Sequence, residues 1–180
     1  MFAAGNKNDV DVYNFYTHDC PESMKFSQNH NKSINCIDWF ENDMGFASCG
    51  DDGYIYFVDL FTGRPGEKRN MTHSHNEKNT RYLSVANVPG KRYKVLAVGT
   101  DKQLTSNDSS VGEKGGKMRD LDAYLSSIAI MKGGRHAIAG VGEPGRPGEL
   151  QVWRLTEPVD KVGSVQAHGG AVKAMKLSYD

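Results

Sequence analysis

Apolar and polar residues alternate along this chain in short stretches, separated by clusters of Gly, Asp, Asn or Pro. Alternation of this kind predicts strands, because successive strand side chains point to opposite faces of a sheet. The stretches run Val10 to Tyr16, Glu22 to Ser27, Ser33 to Phe40, Gly45 to Gly50 and Tyr54 to Leu60. They continue with Tyr82 to Val88, Tyr93 to Gly99, Tyr124 to Met131, His136 to Gly142, Glu149 to Leu155 and Ala171 to Leu177. With 20 glycines and 6 prolines to make turns, the expected class is all-β. Residues 1–9 read as an N-terminal tail.

The stretches also repeat. Strand beginnings at Ile34, Tyr82, Tyr124 and Ala171 are separated by 48, 42 and 47 residues, and a histidine precedes an alternating strand at His30, His75 and His168. A unit of roughly 40 to 45 residues holding four short strands is the blade of a β-propeller of the WD-repeat type. The clearest copy is HNKSINCIDWFENDMGFASCGDDGYIYFVDL, His30 to Leu60, in which Val58-Asp59 stands where that repeat has Trp-Asp. Another copy keeps the tryptophan as Trp153 but follows it with Arg154, and the copy from Tyr82 to about Ser109 lacks the pair. Complete blades are expected at about 33–75, 82–121 and 124–168, with partial blades at 10–30 and 171–180. Propellers close with roughly four to eight blades, so this stretch predicts an incomplete ring. The remainder of a longer chain or another WD-repeat polypeptide is expected to complete it.

Composition narrows the partners. Lys+Arg at 22 balance Asp+Glu at 22, and a formal charge of zero builds in no long-range attraction to nucleic acid or an acidic membrane. No apolar run approaches the roughly 20 residues of a membrane-spanning helix. The start MFAAGNKNDVDV lacks a basic leader followed by an apolar core, so a reducing compartment is expected, with Cys20, Cys36 and Cys49 as free thiols. Their odd number and the lack of a CxxC pair argue against a disulfide framework and a structural zinc site.

His30, Ser48 and Asp52 form the one set that invites a catalytic reading, since a Ser-His-Asp group can activate a hydroxyl. In WD repeats these positions match a buried hydrogen-bond network, and that structural role is the expectation. GVGEPG, with Gly140, Gly142 and Gly145, satisfies the dinucleotide fingerprint, but Pro144, Pro147 and a strand follow where a helix should. It reads as a hairpin loop. VGEKGGKM, Val111 to Met118, lacks the spacing of a phosphate loop and reads as a surface loop. His73 and His75 could face one way toward a metal, yet no third ligand is near, and a solvated outer strand is expected. Three sequons begin at Asn31, Asn70 and Asn107 and are expected to stay unmodified. Lys91, Arg92, Lys94 and Lys102 form a basic cluster read as solvated rim. Neither a cofactor nor a metal is expected.

Several phrases together, VYNFYT, SINCIDWFENDMGFASCGDDGYIY, YKVLAVGTDK, GRPGELQVW and QAHGGAVKAMKLSYD, resemble the second WD-repeat propeller of the cilia- and flagella-associated protein 57 family, from about Val10 to Asp180. The resemblance implies a non-enzymatic scaffold of the motile-cilium axoneme, docking inner dynein arm or regulatory-complex proteins on doublet microtubules. The repeat-motif positions it involves are Val58, Asp59, Trp153 and His168. Members of that family carry tandem propellers and a dimerising coiled coil; this sequence has no sustained heptad pattern, so such dimerisation is not carried over. A cytoplasmic WD-repeat adaptor of a ubiquitin ligase or signalling complex stands as the alternative. Contact elements are expected in the loops Arg64 to His75, Thr105 to Lys117 and Gly142 to Gly148.

Overall fold

The computed structural model describes residues 1–14, 22–26, 30–41, 43–60, 71–76, 80–91, 93–108 and 113–178, of which 22–26, 71–76 and 113–115 are described for backbone only. The described residues form strands and turns, with no helix among them.

Four antiparallel sheets follow one another along the chain. The first contains β1 (Phe2–Asn6), β2 (Asp9–Tyr13) and β3 (Glu22–Phe26). The second contains β4 (Ile34–Trp39), β5 (Gly45–Gly50), β6 (Tyr54–Asp59) and β7 (Met71–Asn76). The third contains β8 (Tyr82–Asn87), β9 (Lys94–Gly99), β10 (Gln103–Asp108) and β11 (Glu113–Asp120). The fourth contains β12 (Leu125–Ile130), β13 (His136–Val141), β14 (Gly148–Arg154) and β15 (Asp160–His168). Strands lie in sequence order within every sheet. β1 packs beside β4, β4 beside β8, and β8 beside β12, so β4, β8 and β12 are inner strands of successive blades.

Three apolar cores fill the spaces between neighbouring sheets. Val10 and Val12 meet Phe46, Val58 and Leu60; Phe40, Ala47, Ile55 and Phe57 meet Tyr82, Val85, Val95 and Ala97; Leu96, Val98 and Leu104 meet Leu125, Ala137, Ala139 and Trp153. Middle strands therefore bury both faces, and β5 (GFASCG) is buried at every position. The small residues of β5 let its neighbours approach. Each inner strand begins with a bulge, between Ile34 and Cys36, Tyr82 and Ser84, and Leu125 and Ser127. Opposite the first two bulges stand Gly50 and Gly99, where an added Cβ would lie 2.5 Å from Ser33 O and 2.4 Å from Arg81 O. Only glycine fits beside those carbonyls.

Two expectations about the ends of the fold are corrected. Phe2–Asn6, read as a tail, form β1, because Phe2 through Asn6 pair residue for residue with Tyr13 through Asp9. Ala171 to Leu177, read as a strand, is not regular strand. Among the described residues it has no second strand to satisfy its backbone. It nonetheless lies at an inner-strand station: Val172 N–H donates to Val141 O at 3.0 Å, and Val172 is buried against Gly140. VGEKGGKM, read as a loop, contributes Glu113–Met118 to β11, while 109–112 lie outside the described residues.

Phe57 is fully buried and stacks on Phe40 with ring centroids 6.3 Å apart. Phe57→Ala should cost about 3 to 5 kcal/mol by opening a cavity between the second and third sheets. Urea unfolding would read this as a lower midpoint at unchanged slope.

Candidate functional site

His30, Ser48 and Asp52 come together as the sequence suggested. His30 sits in the turn before β4, Ser48 near the end of β5, and Asp52 in the tight turn that Gly53 closes at φ 78. The His30 Nδ1 lies 3.0 Å from both Asp52 carboxylate oxygens, and its Nε2 lies 3.0 Å from Ser48 Oγ. Asp52 also accepts the backbone N–H of Asn31 and of Tyr54, each at 3.1 Å. Tyr56 packs edge-on against the His30 ring at 4.6 Å.

Burial governs the electrostatics of this set. It lowers the pKa of His30, against the opposing hydrogen bond and charge of Asp52. It raises the phenol of Tyr56 to about 12, with the Asp52 charge adding to the rise. Ser48 is completely buried. The geometry clips the turn before β4 to the turn after β5, and it presents no reactive oxygen to solvent.

The other repeats keep different fragments of this network. Thr80 stands before β8 and its Oγ1 lies 3.4 Å from Asp101 Oδ2, while Asp101 Oδ1 accepts the Gln103 N–H at 3.2 Å. His75, read as the marker of that repeat, belongs instead to β7, and its side chain and that of His73 lie outside the described residues. Val58 is buried in the core against β2. Asp59 is buried too, and its Oδ2 accepts the Tyr93 hydroxyl at 2.5 Å. Trp153 is buried between the third and fourth sheets, with its indole N–H unpaired among the described residues; Ala139 fills the place that Ser48 holds in the second sheet. His168 is exposed at the end of β15, opposite Gly148.

Sequence reading missed a ladder between inner strands. Asn35 Nδ2 donates to Tyr82 O at 2.8 Å, Asn87 N–H to Asp38 Oδ2 at 2.8 Å, Gly90 N–H to Glu41 Oε2 at 2.7 Å and Ile128 N–H to Ser84 Oγ at 3.2 Å. The Ser126 hydroxyl donates to Val172 O in the same sense. The partners lie 44 to 49 residues apart, which is the repeat length itself. Outside the ladder, Arg81 binds Asp51 through both Nε and Nη2, at 3.0 and 3.1 Å. Partial burial pushes the Asp51 carboxyl up, but Arg81 and Asn35 outweigh it and hold the pKa below the usual value.

Where the inner strands converge there is a cleft of about 590 Å³, lined among others by Trp39, Asp38, Asn87, Ile130 and Met175. Lys176 crosses it to reach Asp38 Oδ1 at 3.1 Å. Cys36 and Cys49 are free and stand opposite each other on β4 and β5; burial raises both thiols, which makes them poor nucleophiles. Cys20 lies outside the described residues. No group of three or more His, Cys, Asp or Glu suited to a metal occurs among the described residues. The GVGEPG segment is the β13–β14 hairpin connection, where Gly145 takes φ 81 and Arg146 N–H bonds Glu143 O at 3.1 Å.

Four-stranded antiparallel sheets packed face to face around converging inner strands, at the repeat length of the sequence, define an incomplete WD-repeat β-propeller. Solved structures share this fold. A chain of the mitotic checkpoint complex matches with a TM-score of 0.80 at 16% identity, over 96% of this chain and 51% of that one. The Swd1 β-propeller domain of Myceliophteria thermophila matches with a TM-score of 0.78 at 14% identity, over 98% of this chain and 55% of that one. No protein-family model matches the sequence. The sequence resembles mouse (Mus musculus) cilia- and flagella-associated protein 57, with 26% identity over 181 residues, all of this chain and 13% of that relative. It also matches Pre-mRNA-processing factor 17 of Saccharomyces cerevisiae, 24% identical over 132 residues, 73% of this chain and 27% of that protein. The chain thus spans well under a third of either relative's length.

The lowered pKa of His30 fixes a sign for pH dependence. A folded state that keeps His30 neutral binds fewer protons than the unfolded chain, so the His30 contribution to stability is fully present above about pH 6.5 and is lost as pH drops below it. Chemical denaturation from pH 7.5 to 5.5 should show this loss, and His30→Gln should flatten the His30 contribution. Asp52→Ala should cost about 1 to 3 kcal/mol at pH 7.5, since it strips His30 and two backbone N–H groups of their acceptor.

Proposed function

We propose that this chain is a non-enzymatic scaffold of the motile-cilium axoneme, lending blades to a WD propeller that docks inner dynein arm or regulatory-complex proteins. The supporting observation is the 26% identity over the whole chain to a cilia- and flagella-associated protein. The geometry suits the role. Apolar residues are spent between sheets, leaving polar turns and outer strands on the surface, and loops held on such a rigid body can carry partner contacts. Of the expected contact elements, the Gly142 to Gly148 turn is exposed at Gly145, Arg146 and Pro147; residues 61–70 lie outside the described residues. Partners are other axonemal proteins, together with the polypeptide that completes the ring.

The alternative is a cytoplasmic WD-repeat adaptor of a ubiquitin ligase or signalling complex, favoured by the likeness of the fold to a chain of the mitotic checkpoint complex. Location separates the two. A tagged chain expressed in motile ciliated cells should remain with demembranated axonemes; recovery from the cytosol alone would replace the ciliary reading with the adaptor. A fluorophosphonate probe should leave Ser48 unlabelled, and labelling lost in His30→Ala would establish a hydrolase instead.

A further inference from the structure

We propose that Cys36 and Cys49 form a redox pair: an oxidant of the peroxide class converts the two thiols to a cross-strand disulfide, and the change loosens the junction between the second and third sheets. The inference is independent of what the propeller docks.

Register brings the two sulfurs together. Cys36 on β4 and Cys49 on β5 are direct partners in an antiparallel pair, just past the bulge between Ile34 and Cys36. Directly opposed residues of such a pair have Cα atoms about 4.5 or 5.5 Å apart, and disulfides span about 4.4 to 6.8 Å, so neither strand has to move. Both side chains enter the same space: Cys49 belongs to the core between the second and third sheets, and Cys36 packs against that core. The Cys49 sulfur also interacts with the backbone and the thiol of Cys36. β4 and β5 are neighbours within one complete four-stranded sheet, so the pairing does not depend on what flanks the chain.

The two thiols differ in access. Cys49 is completely buried, whereas Cys36 is half-buried and lines the cleft where the inner strands converge. Cys36 is therefore the thiol that meets the oxidant. Its thiolate attacks one peroxide oxygen; an S–O bond forms, the O–O bond breaks and one water leaves. Cys49 then attacks the Cys36 sulfur; an S–S bond forms, the S–O bond breaks, and the departing hydroxide takes the Cys49 proton and leaves as a second water. Two electrons pass from the pair to one peroxide. Burial raises both thiols, so little thiolate exists at neutral pH and the pair stays reduced until oxidant persists. In the reduced state the Cys36 thiol donates to Val85 O at 3.6 Å, the Ser84 hydroxyl donates to Cys36 Sγ at 3.8 Å, and Ser84 Oγ accepts the Ile128 N–H at 3.2 Å. A disulfide has no S–H to give Val85, and it turns the sulfur toward Cys49. Bonds that run from β4 through β8 to β12 are weakened together.

Peptide mass spectrometry after differential alkylation of the native protein tests this at each sulfur, in a Cys20→Ser background that removes the third cysteine. Graded hydrogen peroxide should protect Cys36 and Cys49 from alkylation in parallel, with loss of two hydrogens from the peptide that holds both, and dithiothreitol should restore both thiols. The rate should rise about tenfold for each pH unit near neutrality, as the thiolate population does. This measurement changes neither sulfur, so it does not rely on a variant that folds. In Cys49→Ala, which leaves Cys36 without its partner, dimedone should capture a sulfenic acid at Cys36; in Cys36→Ser, Cys49 should resist the oxidant. Hydrogen exchange at the Ile128 amide should be about fivefold faster in the oxidised protein, the effect of weakening one hydrogen bond. Two thiols that stay open to alkylation at peroxide levels that consume free glutathione overturn the inference, and so does oxidation of Cys36 to the sulfinic acid with Cys49 left free. A disulfide with unchanged exchange at Ile128 overturns the loosened junction.

Discussion

Burial of each sheet against the next is the interaction on which the remainder of this structure depends. A small antiparallel sheet alone is marginally stable. Here the second sheet sends Phe46 and Val58 toward β2 and, from alternate positions, Ala47, Ile55 and Phe57 toward β8 and β9. One sheet thus serves two cores. The strength of the fold is distributed along the repeat, and a single motif residue can change without removing a core.

That distribution explains how the polar network can be incomplete. In the second sheet His30, Ser48 and Asp52 are all present and bonded, and the apolar Val58 in the adjoining core offers no further bond. In the third, Thr80 and Asp101 remain, and in the fourth Ala139 stands at the register position of Ser48 while the Trp153 indole N–H is unpaired among the described residues. Each bond contributes on the order of 1 kcal/mol, less than one buried aromatic of the cores. Turn geometry is what the surviving bonds secure. Asp52 uses its oxygens on two backbone N–H groups and His30, and the His30 and Ser48 side chains it holds are buried away from solvent.

Legibility in the sequence followed burial. Inner and middle strands such as Tyr54–Asp59 and Lys94–Gly99 carry apolar residues on both faces, and their limits were readable within a residue or two. Outer strands were less so. MTHSHN was legible as an outer strand through His73 and His75, but EKGGKMRD and DKVGSVQAH at the edges of their sheets were not, and β15 is exposed at eight of its nine positions, so solvent erases the alternation that marks a strand. β1, FAAGN, is short and built of small residues, and only its pairing with β2 makes it a strand. Ala171 to Leu177 fails in the other direction, since alternation reports which face a residue prefers and cannot supply a backbone partner. His30, Ser48 and Asp52 were legible because two turns and one strand of a single repeat carry all three. Thr80 was not, because a threonine before a strand carries no signal of its own.

The inner-strand ladder sets a condition on whatever completes the ring. Its bonds join residues one repeat apart, so each blade fixes the offset of the next one, and curvature is determined locally. Side chains and backbone share the work: Asn35 and Asp38 of β4 both reach β8, while Ser84 of β8 reaches β12. Val172 continues the ladder, held by Ser126 outside any regular strand among the described residues. A completing blade must therefore present a second strand to Ala171 to Leu177 in this same offset and an apolar face to Ile138, Leu150, Val152 and Val165. Only a surface that meets both the backbone and the side-chain requirement can extend the ring without a break in its curvature.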